Sequence, residues 1–214
     1  MPTRTKVLIS ASMVASLAFY FFRADLDPPL IFAMKGLPVA LLALAALTAA
    51  RGTAGLLLAA VMAFGAAGDI GVEVSLEVGA VLFMLGHLVA IVLYSRNRRS
   101  SLTVSQKATA MALLVLVPLV AFNLPTVRST AIGVAIYALA LGAMAASTWI
   151  SAYPRYRVGI GAVLFVVSDL LIFARIGPMS ESPLPDLLIW PLYYTGQLLI
   201  CLGVIGASKG AVKT

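Results

Sequence analysis

The chain has 214 residues, of which 62% are hydrophobic and 11% are charged, and its mean hydropathy is +1.05. This composition excludes a soluble globular domain and is typical of a polytopic membrane protein. The only histidine, His87, and the only cysteine, Cys201, cannot supply the usual zinc ligand sets, so we expect neither a metal nor another cofactor.

Eight apolar stretches are each close to the length of about 20 residues that a helix needs to cross a bilayer. They lie near residues 6–22, 30–50, 54–70, 76–94, 108–124, 130–149, 157–177 and 187–207. Only short polar breaks separate them, which leaves no room for a soluble domain. The sequence therefore predicts an all-α integral membrane protein with one transmembrane domain over residues 1–214.

The charged residues separate along the chain as the positive-inside rule requires. With a cytoplasmic N-terminus, eight spans place eleven of the fifteen basic residues in cytoplasmic segments. These are Arg4, Lys6, Arg51, Arg96, Arg98, Arg99, Lys107, Arg155, Arg157, Lys209 and Lys213. All eight acidic residues lie on the other side or in the spans leading to it. The net charge of +7 thus reflects topology and contact with membrane lipids, and it gives no reason to expect nucleic-acid binding.

The same pattern predicts that both termini are cytoplasmic. Alanine-rich helices with compact loops indicate a bacterial cytoplasmic membrane.

Two aspartates stand in the apolar stretches, each directly after a small residue: Asp69 follows Gly68 and Asp169 follows Ser168. A carboxylate in hydrocarbon is costly, so an ionisable residue there is a functional-site hypothesis. Two alternatives stay open. Asp69 ends the third predicted span and is also suited to the interface or to capping a short loop helix. Asp169 is also suited to a structural salt bridge with Lys35 or Arg175.

An internal repeat connects the helices that follow the aspartates. Residues 83–87 (Phe-Met-Leu-Gly-His) and 193–197 (Tyr-Tyr-Thr-Gly-Gln) both read aromatic, two residues, glycine, polar residue. In a helix the aromatic and polar residues share a face, and the glycine permits close helix approach. The pattern predicts two parallel halves of four helices, the second with a longer proline-rich loop at 178–185.

Placed by depth, the polar residues of the spans can converge on one cavity in the outer half of the bundle. They are Lys35, Asp69, His87, Asp169, Tyr193, Tyr194 and Gln197. Each also has a purely structural interpretation. Lys35 can snorkel to the interface, His87 and Gln197 can bond between helices, and the two tyrosines can belong to an interfacial aromatic belt. Tyr137 is more typical of packing than of a site.

Taken in order, these motifs resemble the YhhN-like family, whose members include the lysoplasmalogenases. The residues that carry the resemblance are Lys35 with Pro38, Gly68-Asp69, Phe83 to His87, Ser168-Asp169, and Tyr193-Tyr194 with Gln197. The resemblance spans nearly the whole chain. Two positions depart from it: Gly36 follows the lysine where the family has proline, and Ala90 stands where a tyrosine is often found.

The resemblance implies hydrolysis of the vinyl ether bond of a lysoplasmalogen, which gives a fatty aldehyde and glycerophosphocholine or glycerophosphoethanolamine. It makes the enzyme an ether hydrolase whose partner is a lysophospholipid. Asp169 would be the general acid and Asp69 the base or electrostatic stabiliser, or the reverse, with His87 relaying a proton. Lys35 would meet the lipid phosphate, and Tyr193, Tyr194 and Gln197 would bind the substrate.

A different class of function fits the same residues. A proton-coupled transporter of lipids or small molecules would use Asp69, Asp169 and His87 as a relay. No span shows the broken appearance of a transporter's discontinuous helix, and Pro118 and Pro191 are the nearest candidates for a break. A catalytically silent homologue with a scaffold role is a third possibility.

Overall fold

The computed structural model describes residues 1–50 and 52–210, with side chains as far as Ser208. The assignment of Arg51, Lys209 and Lys213 to the cytoplasmic side concerns residues outside this range of described side chains. Over the described residues the chain is 86% helical and contains no strand. The all-α prediction is confirmed.

Eight long helices make up the described chain. They are α1 (Thr3–Phe22), α2 (Pro28–Ala49), α3 (Gly52–Val74), α4 (Leu76–Ser95), α5 (Val104–Asn123), α6 (Ala131–Ile150), α7 (Ile160–Arg175) and α8 (Leu184–Gly210). α7 continues from a π-helical turn at Arg155–Gly159, so its span runs over Arg155–Arg175. All eight are long and apolar enough to cross a membrane, and the protein is a polytopic membrane protein with eight transmembrane helices.

Three details of the helices differ from the predicted spans or refine them. α3 runs to Val74, four residues past the predicted end at 70. α8 begins at Leu184, so Pro185 lies in its first turn, a position where proline is tolerated, and the loop before it is shorter than 178–185. Pro118 lies inside α5 and Pro191 inside α8, and both helices continue through their prolines. The described helices therefore show no break at either candidate position.

Contacts divide the chain into two units: Met1–Leu93 with the segment from Cys201 onward, and Tyr94–Ile200. The prediction of a single domain and the prediction of two parallel halves of four helices both stay predictions.

In the first unit, α2 packs against α1 and α3 in antiparallel fashion. Thr5 near the start of α1 is hydrogen-bonded to Thr48 near the end of α2, with 3.1 Å between the hydroxyl oxygens. A Cβ atom at Gly36 of α2 would lie 2.8 Å from the Ile70 side chain of α3, so these helices approach closely. The thiol of Cys201 is fully buried in this unit and donates to the Leu42 carbonyl oxygen at 3.8 Å.

In the second unit, α6 packs against α5 and α7, and α7 packs against α8. A Cβ atom at Gly142 of α6 would lie 2.7 Å from the Leu113 carbonyl oxygen of α5. Gly161 of α7 and Gly196 of α8 meet backbone to backbone, since a Cβ atom on either would lie within 2.7 Å of the other's carbonyl oxygen. Small residues thus set the helix crossings, as is usual where lipid surrounds the helices.

Candidate active site

Asp169 and Tyr137 form a buried hydrogen bond between α7 and α6. The Tyr137 hydroxyl donates to Asp169 Oδ2 at 2.5 Å, and the two residues are 8% and 5% exposed. Tyr137 lies six residues after the start of α6, and Asp169 lies six residues before the end of α7. Because the two helices are antiparallel, this places both side chains at the same depth, about 9 Å from the helix ends.

The other oxygen of Asp169 has a weaker contact. The Ser168 hydroxyl donates to the Phe165 carbonyl oxygen at 2.7 Å and lies 3.5 Å from Asp169 Oδ1. A hydroxyl has one proton to donate, and the shorter bond to Phe165 takes it. Asp169 Oδ1 is therefore the less strongly bonded oxygen of this carboxyl group.

The alternative of a structural salt bridge at Asp169 is wrong. Lys35 pairs with Glu73, and Arg175 pairs with Asp186 at 3.0 Å. Both cations considered as its partners bind another carboxylate, and among the described side chains Asp169 accepts its hydrogen bond from the Tyr137 hydroxyl and has no cationic partner. An intramembrane carboxylate without a cationic partner is costly, which supports a functional role.

Tyr193 and Gln197 of α8 belong to the same polar cluster. Gln197 Nε2 donates to the Tyr193 hydroxyl oxygen at 3.4 Å, which confirms that residues four apart share a face. The Tyr193 ring packs edge-on against Phe165, with ring centroids 5.2 Å apart. The phenol groups of Tyr193 and Tyr137 are close enough to interact electrostatically. We call Tyr137, Ser168, Asp169, Tyr193 and Gln197 the Asp169 cluster.

Tyr194 stacks on Trp190, one turn earlier on α8, with ring centroids 6.4 Å apart. Tyr193 and Tyr194 are only 5% and 7% exposed. Residues of an interfacial aromatic belt present their rings to lipid, so the belt interpretation of these two tyrosines is wrong.

In the first unit, Asp69 is 2% exposed and lies inside α3, five residues before the end of the helix. The interpretation of Asp69 as a span-ending or capping residue is therefore wrong, because the helix continues for more than one turn beyond it. Glu73 lies one turn later on the same face and forms an ion pair with Lys35 of α2. Lys35 thus pairs with the residue that lies one helical turn after Asp69.

The motifs of α3 and α4 pack directly on each other. A Cβ atom at Gly68 would lie 2.9 Å from the Phe83 ring, and one at Gly86 would lie 3.2 Å from Phe64 Cβ. His87, next to Gly86, is buried. In the second unit, a Cβ atom at Gly196 would similarly lie 3.5 Å from Phe165 Cβ. Gly86 and Gly196, the glycines of the two matching motifs, thus each face a phenylalanine of the preceding helix.

The YhhN family model matches residues 30–204, which is most of the chain. The chain belongs to the YhhN family. No curated protein and no solved structure matches the sequence. The matched range contains every candidate residue of this YhhN protein, from Lys35 to Gln197.

The structure groups the candidate residues of the YhhN protein by unit. The first unit holds Lys35, Asp69 and His87, and the second holds Asp169, Tyr193, Tyr194 and Gln197. Their convergence on one cavity stays a prediction. Among residues 1–50 and 52–210, no three His, Cys, Asp or Glu side chains form a group suited to a metal ion.

Two residues of the YhhN protein, Tyr137 and Glu73, touch candidate groups but were not predicted as site residues. Tyr137 was interpreted as packing, although its distance from the start of α6 matches the distance of Asp169 from the end of α7. Glu73 was counted only as an outer charge, although it follows Asp69 by four residues and so shares its face. Matching depths and helical spacing are the signals that would have found them.

Proposed function

We propose that this YhhN-family protein is a lysoplasmalogenase, a membrane hydrolase that cleaves the vinyl ether bond of a lysoplasmalogen. The observation that carries the proposal is Asp169, a carboxyl group buried in a transmembrane helix and, among the described side chains, bonded to the Tyr137 hydroxyl instead of a cation. Membership of the family is consistent with a hydrolase. The products are a fatty aldehyde and glycerophosphocholine or glycerophosphoethanolamine.

The reaction begins when an acid protonates the β carbon of the vinyl ether. The α carbon then becomes an oxocarbenium-like cation, water adds to it, and the resulting hemiacetal collapses with cleavage of the carbon–oxygen bond to glycerol. Burial in an apolar helix bundle favours the protonated form of a carboxyl group, as general acid catalysis near neutral pH requires. In the proposal Asp169 donates this proton from Oδ1, the oxygen that Tyr137 leaves available.

Tyr137 has a defined part in this step. Its hydrogen bond fixes the carboxyl plane and becomes charge-assisted once Asp169 has given up its proton, which strengthens it. The resulting carboxylate then faces the cation that it helped to form. Glycoside hydrolysis also has an oxocarbenium-like transition state. It likewise uses two carboxyl groups with separate acid and base roles.

The other candidate residues have the remaining roles in the proposal. Asp69 activates the water or stabilises the cation, and His87 relays a proton. Lys35 meets the lipid phosphate, since an ammonium group has three donors and the pair with Glu73 leaves donors available. Tyr193, Tyr194 and Gln197 position the ether oxygen and the glycerol.

The test is release of fatty aldehyde by purified protein in detergent, from a vinyl ether lysolipid and from its acyl-ester counterpart. We expect aldehyde from the vinyl ether only, and a loss of about 100-fold or more in Asp69→Asn and Asp169→Asn, the usual size of acid–base catalysis. Asp186→Asn, an exposed aspartate at the start of α8, is the matched control and should keep full activity.

Full turnover by both Asp69→Asn and Asp169→Asn would contradict the carboxylate mechanism. Absence of aldehyde from well-folded protein, combined with substrate movement across sealed vesicles, would favour the transporter instead.

A further inference from the structure

The loops that join α4 to α5 and α6 to α7 are held together at the basic end of the second unit. Arg98 and Ser151 form an isolated antiparallel β-bridge. The Arg99 amide donates to the Ile150 carbonyl oxygen at 3.1 Å, and the Ala152 amide donates to the Asn97 carbonyl oxygen at 2.6 Å. The backbone of Arg99 is therefore fixed by contacts with the second loop.

The guanidinium group of Arg99 is only partly satisfied. Its Nη2 donates to the Tyr153 carbonyl oxygen at 3.3 Å, while its Nε is buried and bonds no other described group. The surrounding segments, residues 94–103 and 149–160, contain four further arginines and no acidic residue. A half-buried arginine with this environment lacks an anion, and a buried charge is costly unless it is paired.

Two further buried donors lie in the last turns of α4 and α6, the helices that lead into these loops. The Tyr94 hydroxyl, on a fully buried side chain, has no hydrogen-bond partner among the described residues, and its ring packs edge-on against Tyr153 at 6.1 Å. Trp149 directly precedes Ile150, and its indole N–H is likewise buried without an acceptor in the described chain. Buried polar groups normally have partners, so donors without a described acceptor are concentrated at this end of the second unit.

We propose that Arg99 and the paired basic loops around it form a binding site for the phosphate group of an anionic phospholipid. The fork of a guanidinium group matches phosphate oxygens, and phosphate offers enough lone pairs for several donors. The loops lie where transmembrane helices end, which is the level of lipid headgroups. Nearby Tyr156 is 70% exposed, as expected of an aromatic ring at the membrane interface.

This site is separate from the Asp169 cluster and does not depend on the proposed function. Trp149 follows Tyr137 by twelve residues on α6, which corresponds to about 18 Å along the helix. The ligand is a structural or regulatory lipid at the opposite end of α6 from Tyr137. A free phosphate ion offers the same chemistry, so the experiment separates the two sources.

The experiment is thermal unfolding of the purified full chain in detergent, titrated with three probes. They are dihexanoyl phosphatidylglycerol, dihexanoylglycerol, which lacks the phosphate, and inorganic phosphate. We expect phosphatidylglycerol to raise the unfolding midpoint and dihexanoylglycerol to leave it unchanged. Arg99→Gln should weaken the apparent affinity for phosphatidylglycerol about tenfold or more, because hydrogen bonds to charged groups are lost. Arg96→Gln, an exposed arginine of the same loop, should leave it within about twofold, since a solvated charge contributes little.

An equal, Arg99-dependent response to inorganic phosphate would keep the site and assign it to the free ion. No stabilisation of the unsubstituted protein by either phosphate probe, or equal affinities in Arg99→Gln and Arg96→Gln, would overturn the proposal. Should Arg99→Gln not fold, Arg99→Lys decides. It should weaken phosphatidylglycerol binding, because lysine lacks the guanidinium fork, while the midpoint without ligand stays near that of the unsubstituted protein. Unchanged binding in Arg99→Lys would also overturn the proposal.

Discussion

Asp169 and Glu73 both lie in transmembrane helices, yet their partners differ in kind. Glu73 is paired with the ammonium group of Lys35, and Asp169 with the hydroxyl group of Tyr137. An ion pair satisfies a carboxylate permanently and is the ordinary solution in a membrane. A hydroxyl donor serves the carboxyl group with or without its proton, because the acid form still has a lone pair to accept the bond. At the scale of single residues, Asp169 therefore has the partner that proton transfer requires.

Replacement of Tyr137 by phenylalanine tests this difference. We expect Tyr137→Phe to lower kcat for vinyl ether hydrolysis by about 10- to 100-fold, since a hydrogen bond to a charged group contributes about 1.5–3 kcal/mol. KM should change less, because the bond strengthens mainly after proton transfer. Steady-state aldehyde release measures both constants. Tyr156→Phe, which alters an exposed phenol, is the control, and an unchanged kcat in Tyr137→Phe would contradict the role given to this hydroxyl.

The pair between Lys35 and Glu73 makes a separate prediction about stability. Lys35→Met and Glu73→Gln should each lower the unfolding midpoint in detergent, because each leaves the other group of the ion pair without its partner. The double variant should lose less than the two single losses together, with a coupling of about 0.5–3 kcal/mol. Additive losses in this double-mutant cycle would show that the pair contributes nothing.

At the scale of helices, glycines decide how the motif-bearing elements meet. The sequence predicted that Gly86 and Gly196 permit close helix approach, and both face a phenylalanine of the preceding helix. The end of α3 was predicted too early because Glu73 interrupts the apolar pattern. Lys35 of α2 neutralises that charge, and this partner is 38 residues away in sequence. Periodicity within one helix contains no information about such a partner.

A pair of alanine substitutions tests the crossing of α7 and α8. A Cβ atom at Gly196 would lie 2.6 Å from the Gly161 carbonyl oxygen, whereas one at Gly133 of α6 would meet nothing within 4 Å. Gly196→Ala should therefore lower stability by about 1–3 kcal/mol, the usual cost of overpacking. Gly133→Ala should leave it unchanged or slightly raised, since alanine is the better helix former. Unfolding in detergent compares them, and equal midpoints would show that the crossing adapts freely.

At the scale of the whole chain, the eight apolar stretches were enough to predict eight membrane-spanning helices, because a run of about 20 apolar residues is the length that crosses a bilayer as a helix. The aspartates and the following helices were recognised as well, since charge in an apolar run is visible in the sequence. Tyr137 was not recognised, because a tyrosine in a span usually packs and its partner is 32 residues away. Arg99 was counted only as a topological charge for the same reason: its environment depends on which loops meet.

The predicted orientation can be measured with cysteines placed at the two ends of the second unit. Ser100→Cys lies in the basic loop after α4, and Glu181→Cys lies in the loop before α8; both positions are exposed. A membrane-impermeant maleimide applied to intact cells should label position 181 and should reach position 100 only after permeabilisation. The reverse pattern would invert the topology and place both termini outside.

Such labelling is simplified by the position of Cys201. Its thiol is fully buried in α8 and directed at the Leu42 carbonyl oxygen, and no other cysteine occurs in the 214 residues. A buried thiol behaves as a small hydrophobic group and reacts slowly, because the thiolate is the reactive form and burial disfavours it. We therefore expect fluorophores, spin labels and crosslinkers that target thiols to react little with the unaltered chain. Every position discussed above can be probed singly without first removing the native cysteine.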